Sequence, residues 1–158
     1  WSPGHLERVT ECLRRPPFLW DNYPVNDNEA MCRHLHLRGF TGRPASIGAW
    51  CSAHAINPAL QPTLSCIPAL TLVDSYHQGD AYQYMDSTLS AMVEVLGESL
   101  AAQVFADLAV LEDAGLNAGS GKKYDLRRTY AAWEHPAARE IVAWLDGHFS
   151  DGSGPSMT

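Results

Sequence analysis

Leu6, Val9, Cys12 and Leu13 recur at helical spacing behind Ser2-Pro3, which reads as an N-cap followed by proline at the first helical position. Arg14-Arg15 suit the C-terminal end of that helix, and Pro16-Pro17 stop it. Phe18-Leu19-Trp20 is short, apolar and aromatic, the pattern of a buried strand. Residues 21–30 are polar loop. Cys32 to Phe40, CRHLHLRGF, reads as a second strand that Gly39, Gly42 and Pro44 end. A long connection leads to Asn57-Pro58. From Pro62 the pattern is helical to Tyr76, with Pro68 expected to kink the helix or end its first part. Asp80 is the expected cap of a helix with Tyr82, Met85, Leu89, Met92 and Leu96 on its inner face and Gly97 behind it. The next runs from Glu98 to Leu111, with Leu100, Val104, Phe105, Leu108 and Leu111 inward. NAGSGKK reads as a flexible link. Leu126, Tyr130 and Trp133 mark a further helix, and Pro136 opens the last, with Ile141, Val142 and Leu145.

The organisation is lopsided. Residues 1–78 read as two βα units of an α/β fold, 79–149 as an all-helical segment, and 150–158 as a disordered tail. Two strands do not make a stable parallel sheet. Further strands are therefore expected from outside this sequence, and the start at Trp1 reads as a cut inside a longer protein.

Charge and composition narrow the function. Eighteen acidic residues against 11 basic ones give a formal net charge of −7, which disfavours nucleic acid and anionic membrane surfaces as partners. No apolar run approaches the roughly 18 residues of a transmembrane helix, and no signal peptide is legible. Cys12, Cys32, Cys51 and Cys66 show no CxxC pairing, so four buried, reduced thiols in a reducing, cytoplasmic compartment are expected. Cys32, His34 and His36 would share one strand face, but three neighbours on one strand converge poorly and no fourth ligand stands at zinc spacing. No metal or cofactor is expected. Serine-hydrolase and nucleotide motifs are absent from the sequence.

The string LWDNYPVND, residues 19–27, places Asp21, Asn22, Asn26 and Asp27 just past the first strand. Ligands in α/β folds bind at the C-terminal ends of strands. Trp20 offers a flat apolar face with one N–H donor, and the Asp and Asn side chains offer what hydroxyls need. That is the chemistry of a sugar site. The competing reading is a polar loop whose side chains cap their own turns. On that reading Asp27 caps the segment 28–30, Asn57 is an N-cap before Pro58, and Trp20 belongs to the core.

WDNYPVND, then LHLRGFTGR, then NPALQPTLSCIPALTLVDSY resembles the C-terminal part of the catalytic domain of family 84 glycoside hydrolases, over residues 18–76. These are β-N-acetylglucosaminidases that include protein O-GlcNAcase and bacterial enzymes once labelled hyaluronidases. Members usually carry Leu-Gly-Pro where this chain has Leu37-Arg38-Gly39. The resemblance implies the C-terminal portion of a (β/α)8 TIM barrel, with residues 18–20 near its seventh strand and 35–37 near its eighth, followed by helices. It implies a retaining, substrate-assisted hydrolysis in which the substrate's own acetamido oxygen attacks the anomeric carbon, an exception to the usual two-carboxylate scheme. The family's adjacent Asp pair is not in this sequence, so no catalytic residue is assigned and this chain alone is expected to be inactive. Trp20 would wall the acetamido pocket, Asn22 would orient the acetamido chemistry, and Asp27 and Asn57 would hold sugar hydroxyls; Asp21 is the more doubtful position. The implied partners are an N-acetylglucosamine-bearing glycoprotein or glycan and the missing N-terminal barrel portion, with a homo-oligomer left open. The alternatives are a non-catalytic carbohydrate-binding barrel relative and a helical interaction module.

Overall fold

The computed structural model describes residues 1–149; the tail expected at 150–158 lies outside the described residues. Helix α1 (Pro3–Leu13) has proline in its first turn and ends at Arg14, whose φ of 55° is left-handed. Strand β1 (Phe18–Asp21) follows and pairs in parallel with β2 (Ala53–Ile56), in the register Phe18–Ala53 to Asp21–Ile56. Helices α2 (Pro62–Gln78), α3 (Tyr84–Leu96), α4 (Glu98–Leu108), α5 (Ser120–Ala131) and α6 (Pro136–Leu145) complete the chain. The mostly helical fold with a small parallel sheet agrees with the α/β expectation.

The second strand is not where the sequence put it. Residues 31–33 form a single 3-10 turn, and 34–40 run extended without any strand beside them. Cys32, Leu35, Leu37 and Phe40 are buried, so the segment has strand-like burial. Its N–H groups bond to the helical layer instead. Leu35 donates to the Leu111 carbonyl at 3.1 Å. Leu37 and Arg38 donate to one Glu112 carboxylate oxygen at 3.1 and 3.0 Å. Gly39 donates to the Thr88 hydroxyl at 2.8 Å and Phe40 to that of Thr71 at 3.0 Å. Burial demands partners for these groups but does not specify a sheet.

Several helical expectations also shift. Pro68 lies inside α2, which continues to Gln78; a proline removes one ladder bond, and here its buried ring sits in the core without ending the helix. Leu89 and Phe105 are exposed, and Thr88 occupies the inner face of α3 because Gly39 needs its hydroxyl. Asp80 caps nothing: a 3-10 turn spans Gly79–Ala81, and the N-cap of α3 is Gln83. The helix expected to reach Leu111 is α-helical only to Leu108; Ala109–Ala114 widen into a π turn. Much of NAGSGKK is the first turn of α5, where Lys122 approaches the buried Asp107 at 3.6 Å.

Two cores result. A small one joins Leu6, Leu19 and Ile47, with Trp50, Cys51 and Tyr76 against it. The large one takes Leu35 and Leu37 from the extended segment, Leu64 and Ile67 from α2, and the inner faces of α3 to α6. Trp144 of α6 donates its indole N–H to the Cys32 carbonyl at 2.8 Å. Among the cysteines only Cys32 is buried; Cys12 and Cys66 are exposed, Cys51 is half-buried, and no disulfide joins any of them. No helix among the described residues is long and apolar enough to cross a membrane.

Gly115 closes the π turn at φ 57° and ψ −146°, a conformation other residues adopt only under strain, and a Cβ there would collide with the Arg33 carbonyl oxygen. Gly115→Ala is therefore expected to destabilise the chain by more than about 2 kcal/mol. Urea unfolding checks this, and a midpoint equal to the parent's would show that the π turn can move away from residue 33.

Candidate functional site

Strand alternation sorts the polar string. Leu19 and Asp21 point to the helix side of the sheet, and Phe18 and Trp20 to the opposite, uncovered side. Trp20 is 59% exposed. Its indole N–H donates to Asn22 Oδ1 at 3.1 Å, and Asn57 Nδ2 donates to the same oxygen at 3.4 Å. An indole nitrogen can only donate, so the amide orientation of Asn22 is fixed and its Nδ2 faces outward. Asn57 sits just past β2, its backbone N–H bonded to the Asp21 carbonyl at 2.8 Å. Trp20, Asn22 and Asn57 thus meet at the C-terminal ends of two adjacent parallel strands.

Asp27 is exposed and forms no hydrogen bond or ion pair among the described residues. It does not cap residues 28–30: Asn28 does, its side-chain oxygen accepting the N–H groups of Ala30 and Met31 at 3.1 and 2.9 Å. Nor does Asn57 cap α2. That helix has Gln61 at its N-cap with no side-chain bond to the helix N–H groups, and Glu140 of α6 accepts the N–H groups of Thr63 and Leu64 at 2.9 and 3.0 Å. Both polar side chains are left available to a ligand.

The other two members of the string are structural. Asn26 is fully buried. Its Nδ2 donates to Gln61 Oε1 at 2.9 Å and the His34 carbonyl at 3.2 Å, while its Oδ1 accepts the Leu60 N–H at 2.9 Å. It clasps the loop carrying Asp27 to the loop following Asn57. Asp21 is 3% exposed and takes a two-pronged bond from Arg43, Nε to Oδ2 and Nη2 to Oδ1, both 2.7 Å. His54 Nε2 lies 3.3 Å from Oδ2, and His54 Nδ1 is 2.8 Å from the Tyr76 hydroxyl. Burial raises the Asp21 pKa, but Arg43 and then His54 outweigh it and hold the carboxyl below its ordinary value of 3.8. The Tyr76 hydroxyl is pushed up to about 12, first by burial and then by Cys51 and Asp21. Arg43, His54 and Tyr76 escaped the sequence reading as a group. Their signal was the period of two in HAI, residues 54–56, which puts His54 and Ile56 on one face of β2.

Nδ1 of His34 bonds the Glu112 carbonyl at 2.7 Å, and Nδ1 of His36 the Pro24 carbonyl at 3.1 Å. No cluster among the described residues could hold a metal ion.

The family profile described as beta-N-acetylglucosaminidase matches residues 2–109. The chain belongs to that family. The β-N-acetylglucosaminidase profile covers α1 through α4, both strands and every residue of the polar string. A solved structure of a mutant O-GlcNAc hydrolase from Thermobaculum terrenum superposes with a TM-score of 0.68 at 24% identity over 93% of this chain. The chain spans 38% of that protein's length. No curated protein matches the chain.

Asp21 supplies a pH test. Its lowered folded pKa makes its stabilising contribution full above the unfolded carboxylate value of about 3.8 and lost as pH falls through the lower folded value. The melting-temperature gap between the parent and Asp21→Asn should therefore narrow as pH falls below about 4. A gap that fails to narrow below about pH 4 would show that Asp21 is not charged in the folded chain.

Proposed function

We propose that this chain is the C-terminal portion of a (β/α)8 barrel, residues 1–78, with its following helical segment, residues 79–149, in a retaining, substrate-assisted β-N-acetylglucosaminidase. Its part in the reaction is to bind the sugar. The observation that carries the reading is the bonded set Trp20–Asn22–Asn57 at the ends of two parallel strands; the exposed carboxylate of Asp27, on the loop that follows, is unpaired among the described residues. The exposed indole face of Trp20 would stack on the 2-acetamido side of N-acetylglucosamine. The outward N–H2 of Asn22 would donate to the substrate or to the acids of the reaction. Asn57 and Asp27 would hold ring hydroxyls, Asp27 through charge-assisted bonds.

The uncovered face of the sheet supports the barrel. Phe18 and Trp20 are more than half exposed on one side of β1, and a two-stranded sheet is marginal alone. Further strands would cover that face and the free edges, and would carry the adjacent Asp pair that the chemistry needs. One Asp would polarise the acetamido group for attack on the anomeric carbon, and the other would protonate the leaving oxygen. The substrate is a terminal N-acetylglucosamine on a glycoprotein or glycan.

In the whole protein that carries this chain, Asp27→Ala is expected to lower kcat/KM on an aryl N-acetylglucosaminide roughly ten- to a hundredfold. KM should rise and the melting temperature should barely change. Intact kinetics with a lower melting temperature would make Asp27 a structural residue. The 158-residue chain by itself is expected to show no turnover of the same substrate, and measurable hydrolysis by a pure preparation would mean that it holds its own acid and base.

A further inference from the structure

Asp21 lies between Trp20 and Asn22 in sequence, yet strand alternation turns its carboxylate away from the sugar side. There both oxygens are occupied. Arg43 spans them from the loop beyond the extended segment, and His54 reaches one of them from β2. Tyr76 of α2 bonds the far nitrogen of His54, and the Trp1 ring leans on the same imidazole at 5.6 Å. The backbone carbonyl of Asp21 accepts the N–H of Asn57. The residue therefore bonds the Arg43 loop and β2 through its side chain, reaches Tyr76 and Trp1 through His54, and holds the second strand's end through its backbone. Two of its covalent or bonded neighbours, Asn22 and Asn57, share the oxygen to which Trp20 also donates.

A buried ion pair adds little to stability compared with well-packed apolar side chains, and its best-attested use is to fix one register. The forked geometry of Arg43 on Asp21 suits that use, since a guanidinium matches a carboxylate in a single planar arrangement. We infer that Asp21, clamped by Arg43 and His54, is a positioning residue that sets the relative placement of Trp20, Asn22 and Asn57 and thereby the affinity of the site for a 2-acetamido sugar. It touches no sugar itself. The inference rests on the sugar-binding reading above.

The test uses the whole protein with the variants Asp21→Asn, Arg43→Gln, the double variant, and Asn22→Ala as a control. Calorimetry gives the Kd for N-acetylglucosamine, steady-state kinetics give KM and kcat, and the indole N–H resonance of Trp20, assigned by its loss in Trp20→Phe, reports its bond to Asn22. Asp21→Asn and Arg43→Gln should each weaken sugar binding about tenfold, raise KM more than they lower kcat, and shift the Trp20 resonance. The double variant should be no worse than the worse single one, because both remove the same clamp. Arg43 is partly exposed, so Arg43→Gln carries the test if Asp21→Asn does not fold. Singles with a Kd and KM within about twofold of the parent, lowered only in melting temperature, would overturn the inference; Asn22→Ala would still weaken binding, and the sugar-binding reading would stand. A parent that binds no N-acetylglucosamine would bring down that reading and this inference with it.

Discussion

A buried stretch of backbone with no strand beside it must find its hydrogen-bond partners outside a ladder, and residues 34–40 impose that demand on the fold. The partners come from α2 (Thr71), α3 (Thr88) and the π turn after α4 (Leu111 and Glu112). Leu111 and Glu112 lie in the last turn of the helical run, where carbonyls lack intrahelical partners, and theirs bond the Leu35 N–H and His34 Nδ1. Gly115 then lets the chain pass against Arg33. The helical segment is thus joined to the sheet segment by directional bonds as well as by apolar packing. Glu112 is buried enough that its pKa is raised, although the N–H groups of Leu37 and Arg38 and the Arg38 charge all favour its ionised form.

The same logic runs through the site. Each exposed polar group is backed by a buried one: Asn22 by Asp21, Asp27 by Asn26. The buried member ties its loop to another part of the chain, and the exposed member is left facing solvent. Asn26 connects the Asp27 loop to Gln61 and Leu60, and Asp21 connects β1 to Arg43 and His54. Alternation along β1 accounts for the first pair; at the second, Pro24, Val25 and Asn26 are buried in succession before the chain turns outward at Asp27.

Much of this was legible in residues. Proline and helical periodicity marked α1, α2 and α6, and the aromatic run marked β1. The ordered string of Trp20, Asn22, Asp27 and Asn57 led to the family that the profile match shows. What failed was the choice of partner. The burial of Cys32, Leu35, Leu37 and Phe40 looks the same whether a sheet or a helical layer lies beside it, so the second strand was placed there. The true β2 is AHAI, small and with weak strand propensity, and was passed over as connection. The string also could not be divided by residue type alone. Counting inward from Leu19 in steps of two would have put Asp21 on the buried face and Asn22 on the open one.

The bond from the Trp20 indole to Asn22 has a thermodynamic consequence. A free asparagine on a loop samples several rotamers and both faces of its amide, and a ligand that needs one of them must suppress the rest at about 0.5–1.5 kcal/mol for each side chain immobilised. Here Trp20 and Asn57 hold the amide by its oxygen before any ligand is present. The loss of freedom is charged to folding, and a sugar arriving at these strand ends meets a donor already aimed.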